Sequence, residues 1–135
     1  LREMDCAILL KTTIDRRRSY TMQCIQSKVS VKMTEQQEKA IKAKLGQAIS
    51  LIPGKSENWL MLTFEDGCKI YFQGDCDKPA AFVEVKIYGK ANGSVYNQMT
   101  AAITDILSKE LQIAPNRIYV KYEEVAYWGW NGNNF

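Results

Sequence analysis

Ala81-Phe82-Val83-Glu84-Val85-Lys86-Ile87-Tyr88 alternates apolar and polar side chains over eight positions, and that alternation is the period of a β-strand with one buried face. Beyond Tyr88 the period changes. Ser94 is placed to cap a helix carrying Val95, Met99, Ala102, Ile103 and Ile106, and Pro115 then precedes a second strand predicted over Arg117–Glu124. The first half of the chain repeats the plan. Cys24–Val31 alternates through Ile25, Val29 and Val31, and Thr34 with Gln37 has the spacing of a capping box. Ile41, Leu45, Ala48, Ile49 and Ile52 then form one helical stripe that stops at Pro53-Gly54, and a strand is expected at Trp59–Glu65. Asp66-Gly67 is a turn signal, after which a short strand is expected at Cys68–Phe72. The offset between equivalent positions stays near 58: Cys24 to Ala81 is 57, Thr34 to Ser94 is 60 and Leu60 to Ile118 is 58.

Two such units, each joining parallel strands through a right-handed helical crossover, predict a four-stranded sheet with both helices on one face. The class is α/β, or α+β by some conventions. The other face is expected to carry apolar and aromatic side chains that oligomerisation would bury.

Composition narrows the chemistry. With 135 residues, 24% charged and 46% apolar, the chain suits one globular domain, read as residues 22–135 after an extension over residues 1–21. Met22 is an alternative start, residues 1–21 then being upstream read-through or a flexible arm. A net charge of +3 is too small to argue for nucleic acid, and two of those charges fall in the extension, where Arg16-Arg17-Arg18 reads as a solvated run. No stretch approaches the roughly 20 apolar residues of a membrane span, so no membrane partner is expected. The apolar run Ala7–Leu10 is bracketed by charges and does not resemble a signal peptide.

There is no histidine, which removes Ser-His-Asp and Cys-His catalysis and imidazole metal ligation. Cys6, Cys24, Cys68 and Cys76 are spaced by 18, 44 and 8 positions, so no C-x-x-C pair forms a zinc or redox site, and they read as small core residues in a reducing compartment. No metal and no cofactor are expected. Gly54-Lys55-Ser56 imitates the end of a phosphate loop, but the earlier glycine would fall at Ile49 and the loop precedes a strand where a helix is required.

The segment Leu111-Gln112-Ile113-Ala114-Pro115-Asn116-Arg117-Ile118-Tyr119-Val120 and the tail Trp128-Gly129-Trp130-Asn131-Gly132-Asn133-Asn134-Phe135 resemble macrophage migration inhibitory factor and its tautomerase relatives. The first strand, Pro53-Gly54-Lys55, Pro79 and Gly89-Lys90 fall in the family's order, and the resemblance extends over residues 23–135. It implies a homotrimer whose sheets wrap a central axis, with a site at each subunit interface for keto-enol tautomerisation of small aromatic 2-keto acids such as phenylpyruvate, and of dopachrome-type compounds. The family's base is the amine of an amino-terminal proline, an ordinary α-amine of pKa about 7.7–8.0 lowered by its surroundings.

On this chain, the resemblance puts Lys55 where the family binds the substrate carboxylate, and Tyr119 where a neighbouring subunit supplies the pocket tyrosine. Read without the family, Lys55 is a solvated loop lysine and Tyr119 a half-buried strand aromatic. Three positions depart from the pattern: Gln23 replaces the proline, Lys121 the pocket asparagine and Tyr88 an isoleucine, giving a narrower and more cationic site. Ala80 and Val83 stand where the mammalian cytokine has its C-x-x-C cysteines, so the activity of that motif is not inherited. Two functions are therefore expected in competition: a tautomerase weakened by Gln23, and a non-catalytic trimer that binds a ligand or, like a cytokine, a protein receptor. The compartment implied is the cytoplasm, with leaderless secretion by family analogy. The tail Tyr127–Phe135 is expected to pack on another subunit, with packing within its own chain as the alternative.

Overall fold

The computed structural model describes residues 22–134. Cys6, Arg16-Arg17-Arg18 and the rest of the 1–21 extension lie outside the described residues. Four strands form one sheet: β1 (Gln23–Val29), β2 (Leu60–Glu65), β3 (Ala81–Tyr88) and β4 (Ile118–Val125), in the order β2-β1-β3-β4. β1 runs parallel to β2, and β3 parallel to β4. The two units meet through the antiparallel pair β1 and β3, with Gln26 opposite Glu84 at its middle. A two-residue pair, β5 (Gly129–Trp130) and β6 (Asn133–Asn134), comes last.

Helices α1 (Glu35–Ala48) and α2 (Gly93–Leu111) supply the crossovers. Ile41 and Leu45 of α1, Met99, Ile103 and Leu107 of α2, and Ile25, Val29, Val83, Val85 and Ile87 of the central strands belong to one buried cluster, so both helices cover the same face. Each of these strand residues lies on the alternating inward positions of its strand, as the sequence pattern requires.

Thr34 caps α1 as the spacing predicts: its hydroxyl accepts from Gln37 N at 3.1 Å, and Gln37 Oε1 accepts from Thr34 N at 2.9 Å. Gln37 also donates to Glu110 O of α2 at 3.1 Å, tying the helices together. The cap of α2 is Asn92, not Ser94. The Asn92 carboxamide oxygen accepts from Val95 N at 3.0 Å, while the Ser94 hydroxyl donates to that same oxygen at 2.6 Å and supports it. Two ends of strands also move: Glu57–Trp59 and Pro115–Arg117 are single 3-10 turns, so β2 begins at Leu60 and β4 at Ile118.

Two further expectations are corrected. Cys68–Phe72 is not a strand; it keeps one bridge, Phe72 to Asp75, because the chain after Gly67 turns back to β1, where Cys68 N donates to Val29 O at 2.9 Å. The cysteines described are not core residues, since Cys24 and Cys68 are half-buried and Cys76 is exposed. The helix-free face carries the expected apolar and aromatic side chains, Met61, Phe82 and Tyr119, interleaved with charges. Its rows read Glu65, Lys28, Phe82, Tyr119, then Thr63, Gln26, Glu84, Lys121, then Met61, Cys24, Lys86, Glu123, so opposite charges face one another across strands.

The loop between β2 and β3 is organised from the start of β4. Arg117 is buried, and its guanidinium donates to four carbonyls: Pro79 O at 2.9 Å, Asp75 O at 3.0 Å, Lys78 O at 3.1 Å and Phe72 O at 3.3 Å. It also lies 5.4 Å from the Phe72 ring centre. The tail turns back on its own chain, where Trp130 meets the Trp59 ring edge-on at 5.2 Å. Tyr127 remains 82% exposed.

Candidate functional site

The sequence singles out five side chains: Gln23, Lys55, Tyr88, Tyr119 and Lys121. The structure divides them into two groups. At the end of the sheet where β1 starts and β3 finishes, three hydrogen bonds link β1, the loop before β2, and β3. Tyr88 N donates to Met22 O at 2.9 Å, Lys55 Nζ donates to Tyr88 O at 2.9 Å, and Gln23 Nε2 donates to Ser56 O at 2.6 Å.

Lys55 reaches this position because Pro53-Gly54 breaks the chain after α1, with Gly54 at φ 79°, and Lys55 N donates to Ile52 O at 3.0 Å. Its side chain is then driven inward. Lys55 is 7% exposed, whereas the sequence alone suggests a solvated loop lysine. Among the described residues no carboxylate pairs with it, and burial lowers its pKa from 10.5 to about 8.

Gln23 is completely buried on the helix-facing side of β1. Ser56 O requires a donor, which sets the carboxamide with Nε2 toward it and leaves Oε1 buried without a partner. Tyr88 contributes to this corner through its backbone, both N and O, and strand alternation directs its ring to the helix-free face.

Tyr119 and Lys121 lie elsewhere. Both stand on the helix-free face of β4, Tyr119 level with Phe82 and Lys121 level with Glu84, whereas Gln23 is level with Ile87 and Glu124 on the opposite face. Five residues of strand separate the levels of Tyr119 and Gln23, about 17 Å along the sheet. Within one chain the two groups cannot contact one small ligand. Tyr119 is 64% exposed, more than a half-buried strand aromatic, and its ring packs on Phe72 at 4.9 Å. Beside them lies a cavity of 320 Å³ lined by residues that include Tyr71, Phe72, Phe82, Arg117 and Tyr119. Lys121 is paired with Glu123 at 3.0 Å and with Glu84 at 3.9 Å, so its charge is largely matched, and these carboxylates raise its pKa.

A model of the macrophage migration inhibitory factor (MIF) family matches residues 23–135. The chain belongs to that family. Its similarity to the Xenopus laevis macrophage migration inhibitory factor is 38% identity over 64 residues, 46% of this chain and 56% of the frog protein, so the match spans just over half of that relative. With the Rattus norvegicus protein it is 27% over 95 residues, 69% of this chain and 82% of the rat protein. The crystal structure of Leishmania major MIF2 superposes with a TM-score of 0.79 at 37% identity, covering 84% of this chain and 97% of that one. The MIF-family sheet and helices are therefore those found here, and no helix among the described residues is long and apolar enough to cross a membrane.

Two residues carry more than the sequence disclosed. Arg117 sits in the quoted family segment without an assigned role, and only its four carbonyl contacts show that it holds the wall on which Tyr119 leans. The Gln23 carboxamide, read from sequence only as an absent base, is also a buried acceptor.

The buried ammonium of Lys55 has a consequence for stability. Its folded pKa is depressed below 10.5, so the cost of burying the charge is present in full below pH 8 and is relieved as pH rises from about 8 to 10.5. Lys55→Met removes that cost. We expect the variant to be more stable than the parent by roughly 1 kcal/mol at pH 7, with the difference shrinking toward pH 10.5 in urea titrations. A difference that grows with pH would contradict a depressed pKa.

Proposed function

We propose that this MIF-family chain forms a homotrimer that binds small aromatic 2-keto acids of the phenylpyruvate type at its subunit interfaces and interconverts their keto and enol forms weakly. The observation that carries the reading is the division of the site. A buried cation and an unpartnered acceptor, Lys55 and Gln23, occupy one end of the sheet, while Tyr119, Phe72 and Phe82 form an aromatic wall about 17 Å away on the other face. A second copy that brings its aromatic wall to this chain's Lys55 would complete a site for a planar anion. Dopachrome-type compounds share that shape and charge.

Weak turnover follows from position 23. The nitrogen of Gln23 is an amide joined to Met22, whose carbonyl is engaged by Tyr88 N, and neither that nitrogen nor the Gln23 carboxamide can accept a proton from carbon. This same feature favours a second reading, a non-catalytic trimer that binds its ligand or a protein receptor.

Light scattering at micromolar concentration, combined with phenylpyruvate titration and an enol-keto assay, tests the proposal. We expect about three protomer masses, saturable phenylpyruvate binding and slow interconversion. A stable monomer would remove the shared site. Binding without interconversion would leave the second reading. Deleting residues 128–135 is expected to shift the assembly toward smaller species, and unchanged scattering would confine the tail to the Trp59 contact within its own chain.

A further inference from the structure

Position 23 offers no amine, yet the corner around it contains one. Lys55 Nζ is buried, it makes one hydrogen bond, to Tyr88 O, and no acid pairs with it among the described residues. We infer that Lys55 Nζ is the general base of this chain, taking the role that an amino-terminal amine would otherwise hold. The inference rests on the proposed ligand class and deepens it.

Buried ammonium groups are normally retained only when paired, and one backbone carbonyl satisfies a single one of the three Nζ protons. Above about pH 8 the free amine is the major form. It needs fewer partners, and its lone pair is then directed by the remaining bond to Tyr88 O. Charged groups on the adjoining segments do not hold the proton in place. Glu57 extends toward α1, filling the space over Gly46 so closely that a Cβ there would collide with its carboxylate. Glu124 accepts from the Tyr96 hydroxyl at 2.7 Å, Glu123 is bound to Lys121, Lys86 donates to Gln26 Oε1 at 2.7 Å, and Lys90 is exposed. Tyr88 supplies its carbonyl, and its phenol belongs to the opposite face of the sheet. Burial is thus the main influence on the amine, and it favours the neutral form.

The step balances without an oxidant. The Lys55 Nζ lone pair takes a proton from the carbon next to the ketone, the C–H electron pair becomes the C=C bond of the enol, and the carbonyl pair moves onto oxygen. That oxygen takes a proton back from the Lys55 ammonium, restoring the amine. A lysine that merely binds a carboxylate would be replaceable by arginine. A base would not, because a guanidinium stays protonated.

The test uses the full chain and phenylpyruvate, with exchange of the C3 hydrogens into deuterated buffer followed by NMR and binding followed by titration. The parent should exchange with a rate that rises through an inflection near pH 8. Lys55→Arg should retain binding within about threefold and lose exchange by at least about 10²-fold, the lower range for general-base catalysis. Because arginine is larger and could disturb folding, Lys55→Cys alkylated with bromoethylamine provides a second variant, compared with the identically treated parent. It restores an amine on a chain of the same length with sulfur in place of one methylene, and its exchange should return with the inflection moved to lower pH. Exchange that survives in Lys55→Arg overturns the inference and leaves the proposed function standing. Binding by the parent without any exchange also overturns it. A parent that neither binds nor exchanges phenylpyruvate defeats the proposed function itself.

Discussion

Restarting the chain at position 23 with Gln23→Pro is expected to raise phenylpyruvate tautomerisation about 10²–10⁴-fold above the full chain. The gain comes from replacing an amide nitrogen with a free secondary amine at the first residue of β1. The surroundings to activate that amine already exist. Position 23 is fully buried, which disfavours its charged form, and Lys55 is held next to it by the Ser56 and Tyr88 contacts. At neutral pH Lys55, with a pKa of about 8, is mostly an ammonium, so it depresses the new amine's pKa and attracts the substrate carboxylate. The two roles of Lys55 are compatible. On the inference above, only its minor neutral fraction would act as base at pH 7 in the full chain, and in the proline variant its major cationic form would assist another base. Adding Lys55→Ala to the proline variant should move the acid-side inflection of the pH-rate profile upward and weaken substrate binding. If the full chain is already as fast as the proline variant, the missing amine is not what limits it.

Arg117→Ala should destabilise the fold by about 3 kcal/mol. Hydrogen bonds to a charged group contribute about 1.5–3 kcal/mol each, partly offset by the cost of burying the charge. Its removal takes the guanidinium from four carbonyls at once; Phe72 O and Asp75 O keep each other's backbone N–H, while Lys78 O and Pro79 O lose the donor Arg117 gave them. The segment they belong to is tied to the sheet at its two ends, by Cys68 N to Val29 O and by the Ser30–Ala80 pair, and between those ends it has the Phe72–Asp75 bridge and the Asp75–Asp77 turn. We therefore expect a lower urea midpoint and, separately, earlier proteolytic cleavage between residues 66 and 80. Arg117→Lys recovers the charge but not the fork, and should restore less than half of the loss. Because Phe72 carries the Tyr119 ring, ligand affinity at the aromatic wall should fall with the loop's order. A variant within about 1 kcal/mol of the parent would show that the loop is held by other contacts.

The architecture was legible in the chain because it rests on local periodicity. Alternation over Ala81–Tyr88 and Cys24–Val31, the stripe from Ile41 to Ile52 and the near-constant offset of 58 required two matching strand-helix-strand units, and burial of one face made the strand register unambiguous. The capping box at Thr34 was legible for the same reason, since it is completed within four residues. Lys55, Tyr119 and Gln23 could be named from a family resemblance, which orders residues along the chain.

What only the tertiary structure decided involves partners far apart in sequence. Lys55 is buried because Tyr88, 33 residues on, offers its carbonyl, and the Cys68–Phe72 segment is a loop because Cys68 turns back to Val29 of β1 and Arg117, 45 residues beyond Phe72, takes up the Phe72 carbonyl. The helix-free face mixes Met61, Phe82 and Tyr119 with paired charges because residues on separate strands fall opposite one another, as at Glu84 and Lys121, which no single strand reveals. Periodicity tells which side of a strand is buried. It carries no information about which distant group will meet a polar atom there, and that pairing decides whether a lysine stays a solvated cation or becomes a buried amine.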